Sequence, residues 1–145
     1  MEINKLVAND LQGDLKGFLS ALQNMSPTGD IPLESAKEML SEINKQNGNI
    51  YVMKTPEGEI VGTITLLVEK KFIHNGGYVG HIEDVAVRKG YEGKGIGGSL
   101  VKKALEEAKG FGCYKVILDC NDTLVPFYGR YGFSVQGKEM RVNLK

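Results

Sequence analysis

The stretch HIEDVAVRKGYEGKGIGG, residues 81–98, decides how the rest of the chain is read. Its first half has the apolar character of a strand but carries two adjacent acids, Glu83 and Asp84. Aspartate is depleted in strands. Its second half holds five glycines between Gly90 and Gly98, and glycine loses more chain entropy on ordering than any other residue. A flexible connector could carry such glycines, but the chain runs straight on into a good helix. There Leu100, Val101, Ala104, Leu105 and Ala108 make one apolar stripe. The free amides and the dipole of a helix N-terminus bind an anion, and small residues let a bulky diphosphate approach the backbone. The segment reads as a strand, a pyrophosphate loop and a helix.

Two other phosphate loops do not fit. Gly93-Lys94-Gly95-Ile96-Gly97-Gly98 matches G-x-G-x-x-G, with an acid, Asp119, further on. The dinucleotide loop turns directly out of its strand, whereas RKGYE separates Val87 from Gly93 here. Too little chain then remains for alternating βαβ units. The G-x-x-x-x-G-K-[ST] loop is absent, because Ile96 follows Gly95.

Outward from this stretch the chain alternates short apolar runs with turn signals. Residues 2–7 read as a strand, and Leu11, Leu15, Phe18, Leu19 and Leu22 give a helix over 10–24. MSPTGDIP breaks it, and a second helix is expected near 33–46. NIYVMK and IVGTITLLVEK flank the turn TPEGE as a hairpin. KKFIHNGGY reads as a loop, VGHIEDVAV as the fourth strand and 99–109 as a helix. YKVILDC is a fifth strand, VPFYGRY a short helix, and GFSVQGKEMRVNL a last strand bent at Gly137. Hairpin-connected strands followed by strand–helix–strand predict an α+β fold, a mainly antiparallel twisted sheet flanked by helices. No linker or repeat divides residues 1–145, so one domain is expected.

Eighteen basic and eighteen acidic side chains cancel, so no global field draws nucleic acid or a membrane surface. Any anion must be held locally. The longest stretch without a charged residue, Gly17–Gly29, is too short to span a bilayer. The start MEINKLVAND has no apolar leader core, which points to a reducing, cytoplasmic setting. Cys113 and Cys120 flank a predicted strand at an odd spacing, so they are expected as free thiols used in packing.

Glu92-Gly93-Lys94-Gly95-Ile96-Gly97 resembles the acetyl-coenzyme A (acetyl-CoA) loop Q/R-x-x-G-x-G/A of the GNAT acetyltransferases. VGHIEDVAV is similar to the fourth strand of that family, and FYGRYGF, residues 127–133, to its F-Y-x-x-x-G-F signature. More narrowly, EKKFIHNGGYVGHIEDVAV and GCYKVILDC resemble the eukaryotic branch that acetylates glucosamine 6-phosphate, on the route to UDP-N-acetylglucosamine. The loop departs from the family at Glu92, where Gln or Arg is usual. An acid there must point to water and leave the binding to Lys94 and the amides.

The resemblance implies acetyl-CoA contacts along Val85, Ala86 and Val87, through Gly93, Lys94, Gly95, Ile96, Gly97 and Gly98, and at Tyr128. It implies an amino-sugar site at Glu83, Asp84 and Asp119. Single acids could sit on a solvated edge or pair with a base. Asp119 interrupts a second apolar run, and unpaired buried carboxylates are expensive, so a cationic partner such as a sugar ammonium is favoured. The implied chemistry is direct attack of the amine on the thioester, with no acetyl-enzyme and hence no nucleophilic role for Cys120. Glu83 and Asp119 are the candidate orienters and proton acceptors. A backbone N–H near Val85 would polarise the carbonyl, and Tyr128 would stabilise the leaving thiolate. Thr28, Lys71 and His74 match sugar or phosphate contacts of the family. Where the family often has a phosphate-binding Arg this chain has Asn143, and Arg141 lies two residues earlier on the same strand face. No metal-ligand spacing is present, so no metal is expected. The resemblance also implies a homodimer paired through the C-terminal region. Other readings remain open: a GNAT for another amine, including a protein lysine, or a non-catalytic acetyl-CoA-binding module.

Overall fold

The computed structural model describes residues 1–145. The elements in order are β1 (Glu2–Lys5), α1 (Ala8–Gln23), α2 (Leu33–Lys45), β2 (Gly48–Lys54) and β3 (Ile60–Lys70). A single turn α3 (Ile73–Gly76), β4 (Tyr78–Val87), α4 (Ile96–Gly110), β5 (Cys113–Ile117) and α5 (Val125–Gly129) follow. The sheet order is β1-β2-β3-β4-β5. The first three joints are antiparallel, and β4 and β5 run parallel. A parallel pair needs a crossover, which α4 provides. The expected sheet, mainly antiparallel and flanked by helices, is the one formed.

Helices cover both faces, so β2 is buried on both sides rather than alternating with polar residues. Tyr51 and Met53 pack with Val61, Ile64 and Leu66 against Leu100, Val101 and Ala104 of α4. Ile50 and Val52 pack on the other face with Leu6, Leu11, Ala36 and Leu40. The seat of α4 is close. A Cβ on Gly62 of β3 would lie 2.7 Å from Ile96 Cγ2 and 3.0 Å from Leu100 Cδ1. Gly62 therefore sets how near the N-terminus of α4 comes to the sheet.

Tertiary contacts shift several boundaries. The first helix begins at Ala8, where the Asp10 carboxylate accepts the Val7 N–H at 2.9 Å. It kinks at Asp14 (φ −151°, ψ 52°), whose carboxylate accepts the Gly17 N–H at 3.1 Å and the Ile60 N–H at 2.7 Å. That side chain competes with the helical ladder and ties α1 to β3. The α4 helix starts three residues before the expected 99, because burial of Ile96 and Gly98 outweighs the poor helix propensity of glycine.

The expected last strand over 132–144 does not form. Residues 134–145 are irregular and exposed throughout. A strand has no ladder bonds of its own, and no element of this chain pairs with the tail. The β5 strand also stops at Ile117, leaving Asp119 and Cys120 beyond it. Both cysteines are free; Cys113 is half-buried, but Cys120 is exposed and is not the packing residue expected. No helix is long and apolar enough to cross a membrane.

Candidate active site

The site begins with a fault in β4. Thr65 pairs with Glu83 and Thr63 with Ala86, so Ile64 alone stands opposite both Asp84 and Val85. This is a β-bulge, which breaks the ladder and re-aims side chains. Its extra residue adopts the left-handed region at Asp84 (φ 49°), which short polar side chains tolerate better than others. Plain alternation would place Asp84 between buried Ile82 and Ala86. The bulge swings it out, and Asp84 is exposed. The strand therefore bends beside Val85, where the carbonyl-polarising N–H was expected.

A second feature opens the sheet. Pairing between β4 and β5 covers only Tyr78–His81 and Cys113–Ile117. Beyond that point the two strands have no ladder between them. Glu83 and Asp119 follow the last pair, His81 with Ile117, by two residues each. The two acids thus stand on opposite lips of one cleft.

They line a single cavity of about 910 Å³ together with Cys120 and Tyr128, and residues 132–139 complete its wall. Glu83 and Asp119 are more exposed than the apolar runs around them predict, because β5 is an edge strand that ends early. Partial burial, then Asp119 and Asp84, raise the Glu83 carboxyl above its ordinary value, with His81 acting in the opposite sense. A carboxylate so placed holds a proton more readily than a free one. Tyr128 is buried, edge-on to Phe127 at 4.9 Å and to Phe133 at 5.9 Å. Burial, Cys120 and Asp119 push its phenol above the usual 10.

The glycine loop lies at the Tyr128 end of the cleft, outside the cavity lining. Gly90, Gly93 and Gly95 have φ of 93°, 77° and 80°, and Gly95 is the left-handed N-cap of α4. None of the amides from Gly93 to Gly98 donates to another group of the chain. These groups, at the positive end of α4, suit the diphosphate of coenzyme A. Lys94 is exposed beside them, its ammonium 5.2 Å from the Tyr91 ring centroid. Phe127 and Tyr131 of the FYGRYGF segment pack against Gly97 and Gly98, which brings Tyr128 to this end of the cleft. Glu92 is exposed, as expected, and its carboxylate also accepts the Gly90 N–H at 2.7 Å.

Five expected amino-sugar contacts lie outside the cavity lining, as do the expected acetyl-CoA contacts other than Tyr128. Asp84, turned out by the bulge, is one. Thr28 accepts a hydrogen bond from Gln23 at 2.9 Å in the segment after α1. Lys71 pairs with Glu69 at 3.2 Å. His74 stacks on Tyr114 with centroids 4.0 Å apart, and Arg141 pairs with Glu139 at 2.7 Å in the exposed tail. His81 was not singled out from the sequence, yet it lines the cavity and contacts Glu69 at 2.9 Å. Its position two residues before Glu83 on one strand face was the signal available.

A splayed β4–β5 pair, a bulge at the splay and an amide-lined loop before the crossover helix define an acyl-CoA-dependent N-acyltransferase. The chain belongs to the Acetyltransferase (GNAT) family, whose model matches residues 17–133. It is similar to the glucosamine 6-phosphate N-acetyltransferase of Candida albicans, 38% identical over 85% of this chain and 84% of that one. It is 34% identical to the enzyme of the same name from Trypanosoma brucei brucei, over 99% and 96% of the two chains. The crystal structure of glucosamine-6-phosphate N-acetyltransferase from Arabidopsis thaliana superposes with a TM-score of 0.92 at 34% identity, covering 99% and 98% of the two chains.

Proposed function

We propose that this chain transfers the acetyl group of acetyl-CoA to the amine of D-glucosamine 6-phosphate, with residues 1–145 acting as one domain. The observation that carries the reading is Glu83 facing Asp119 across the cleft, in one cavity with Tyr128. The relatives named above support the choice of acceptor. The two acids hold and orient the sugar ammonium, and Glu83, its proton affinity raised, takes the proton. The neutral amine attacks the thioester carbonyl, whose developing oxyanion meets a backbone N–H at the Asp84–Val85 bulge. The C–N bond forms and the C–S bond breaks, with Tyr128 hydrogen-bonding the departing thiolate. The surplus proton on the nitrogen passes to that sulfur, leaving the amide and the coenzyme A thiol. A thiol titrates near ~8.5 and a phenol near ~10, and the Tyr128 phenol is raised further. Tyr128 therefore serves as a hydrogen-bond donor more than as a proton source. Cys120 forms no acetyl-enzyme, and the two free thiols suit a reducing compartment such as the cytoplasm.

Lys71, His74 and Arg141 supply the phosphate contacts only when two copies pair. Val135, Met140, Val142 and Leu144 leave an apolar tail exposed, ready to dock on a second chain. Coenzyme A release across glucosamine 6-phosphate, glucosamine, glucosamine 1-phosphate and a lysine peptide tests the acceptor. Glucosamine 6-phosphate is expected to lead by orders of magnitude. Equal turnover of the peptide would leave the family and remove the sugar phosphate.

A further inference from the structure

An acid at the mouth of a diphosphate cradle is repulsive unless its charge is engaged elsewhere. Glu92 is engaged twice. Its Oε2 accepts the Gly90 N–H at 2.7 Å, a charge-assisted bond across the left-handed turn at Gly90. Its Oε1 accepts from the Asn24 side-chain amide at 3.0 Å. Its own backbone N–H first, then the bonds from Gly90 and Asn24, hold its carboxyl below the ordinary value, so the charge is retained. The same Asn24 amide donates to the Val87 carbonyl at 2.7 Å. Asn24 is the C-cap of α1, and Val87 is the last residue of β4. One side-chain pair therefore joins three elements: the end of α1, the end of β4 and the glycine loop. The segment after Asn24 folds back on α1 through Gln23 and Thr28.

We propose that Glu92 is a positioning residue which holds the loop in its amide-presenting shape and, through Asn24, couples it to the segment bearing Thr28. This inference rests on the acetyl-CoA reading of the loop. In this chain, the first position of the family motif works as an internal brace rather than as a contact to the ligand. The loop and the segment carrying Thr28 are then positioned together.

Isothermal titration with coenzyme A, together with acceptor KM, tests it in Glu92→Ala, Glu92→Gln, Asn24→Ala and the double alanine variant. Loss of a charge-assisted hydrogen bond should raise the coenzyme A Kd of Glu92→Ala by about tenfold. Glu92→Gln keeps an acceptor oxygen for one of the two donors and should fall between wild type and Glu92→Ala. Asn24→Ala should weaken coenzyme A binding and raise acceptor KM as well, and the double variant should be no worse than the poorer single one. Unchanged or tighter binding by Glu92→Ala would mean that the carboxylate merely repels the diphosphate, and losses that multiply in the double variant would separate the two residues. Either result overturns the brace. Failure of the wild-type chain to bind coenzyme A would instead remove the acetyl-CoA reading itself.

Discussion

Tyr128 combines burial with a polar handle at the end of the cleft. Tyr128→Phe keeps the ring and its edge-on contacts but removes one donor, whose value grows as charge develops on sulfur. Such bonds to charged groups are worth about 1.5–3 kcal/mol, so kcat and kcat/KM should fall together by roughly tenfold to a hundredfold. Steady-state kinetics check this, and an unchanged kcat with chemistry limiting would return Tyr128 to packing. Glu83 makes the opposite trade. Its carboxyl is raised in the fold, first by burial and then by Asp119 and Asp84, so ionisation there costs stability. A group of this sign stabilises the fold below its unfolded pKa and loses that contribution as pH rises through the folded value. Glu83→Gln should therefore melt higher than wild type at pH 7, with the gain fading in acid, while turnover drops. A variant that melts lower at pH 7 would contradict the crowding of charge.

Among the elements, the glycine loop and β4 carry the site. Gly95 sits at φ 80°, where a branched side chain is strained, and its amide faces the cradle. Gly95→Val should abolish coenzyme A binding with the circular dichroism spectrum retained, whereas Asp119→Asn should bind coenzyme A normally and lose amino-sugar turnover. Equal loss of coenzyme A affinity in both would end the division between loop and acids. The loop was legible because its glycines lead into an apolar stripe, a local pattern. The bulge was not. Alternation in GHIEDVAV assigns Asp84 to the buried face, and only the mismatch of β4 against Thr63–Thr65 turns it out. The Asp14 kink was equally hidden, since it depends on an amide of Ile60 distant in sequence.

At the scale of the whole molecule, the tail is the open end. Met140 and Leu144 are 95% and 89% exposed, and β5 is a short edge strand with no neighbour on its outer side. A homodimer that covers them is expected, with light scattering giving twice the 15.9 kDa chain mass at micromolar concentration. A fully active monomer would rule it out. The sequence alone determined most element types and the α+β class, because periodicity acts over a few residues, and its glycine chemistry pointed to the loop before α4 as a diphosphate site. It also named Glu83, Asp119 and Tyr128, through a resemblance carried by contiguous motifs. Only the tertiary structure decided that β4 and β5 part after His81 and Ile117, that Glu92 turns to Asn24, and that the last apolar run finds no partner within its own chain. Ladder bonds and burial are settled between segments far apart in the chain, and no local pattern encodes which neighbour will be there.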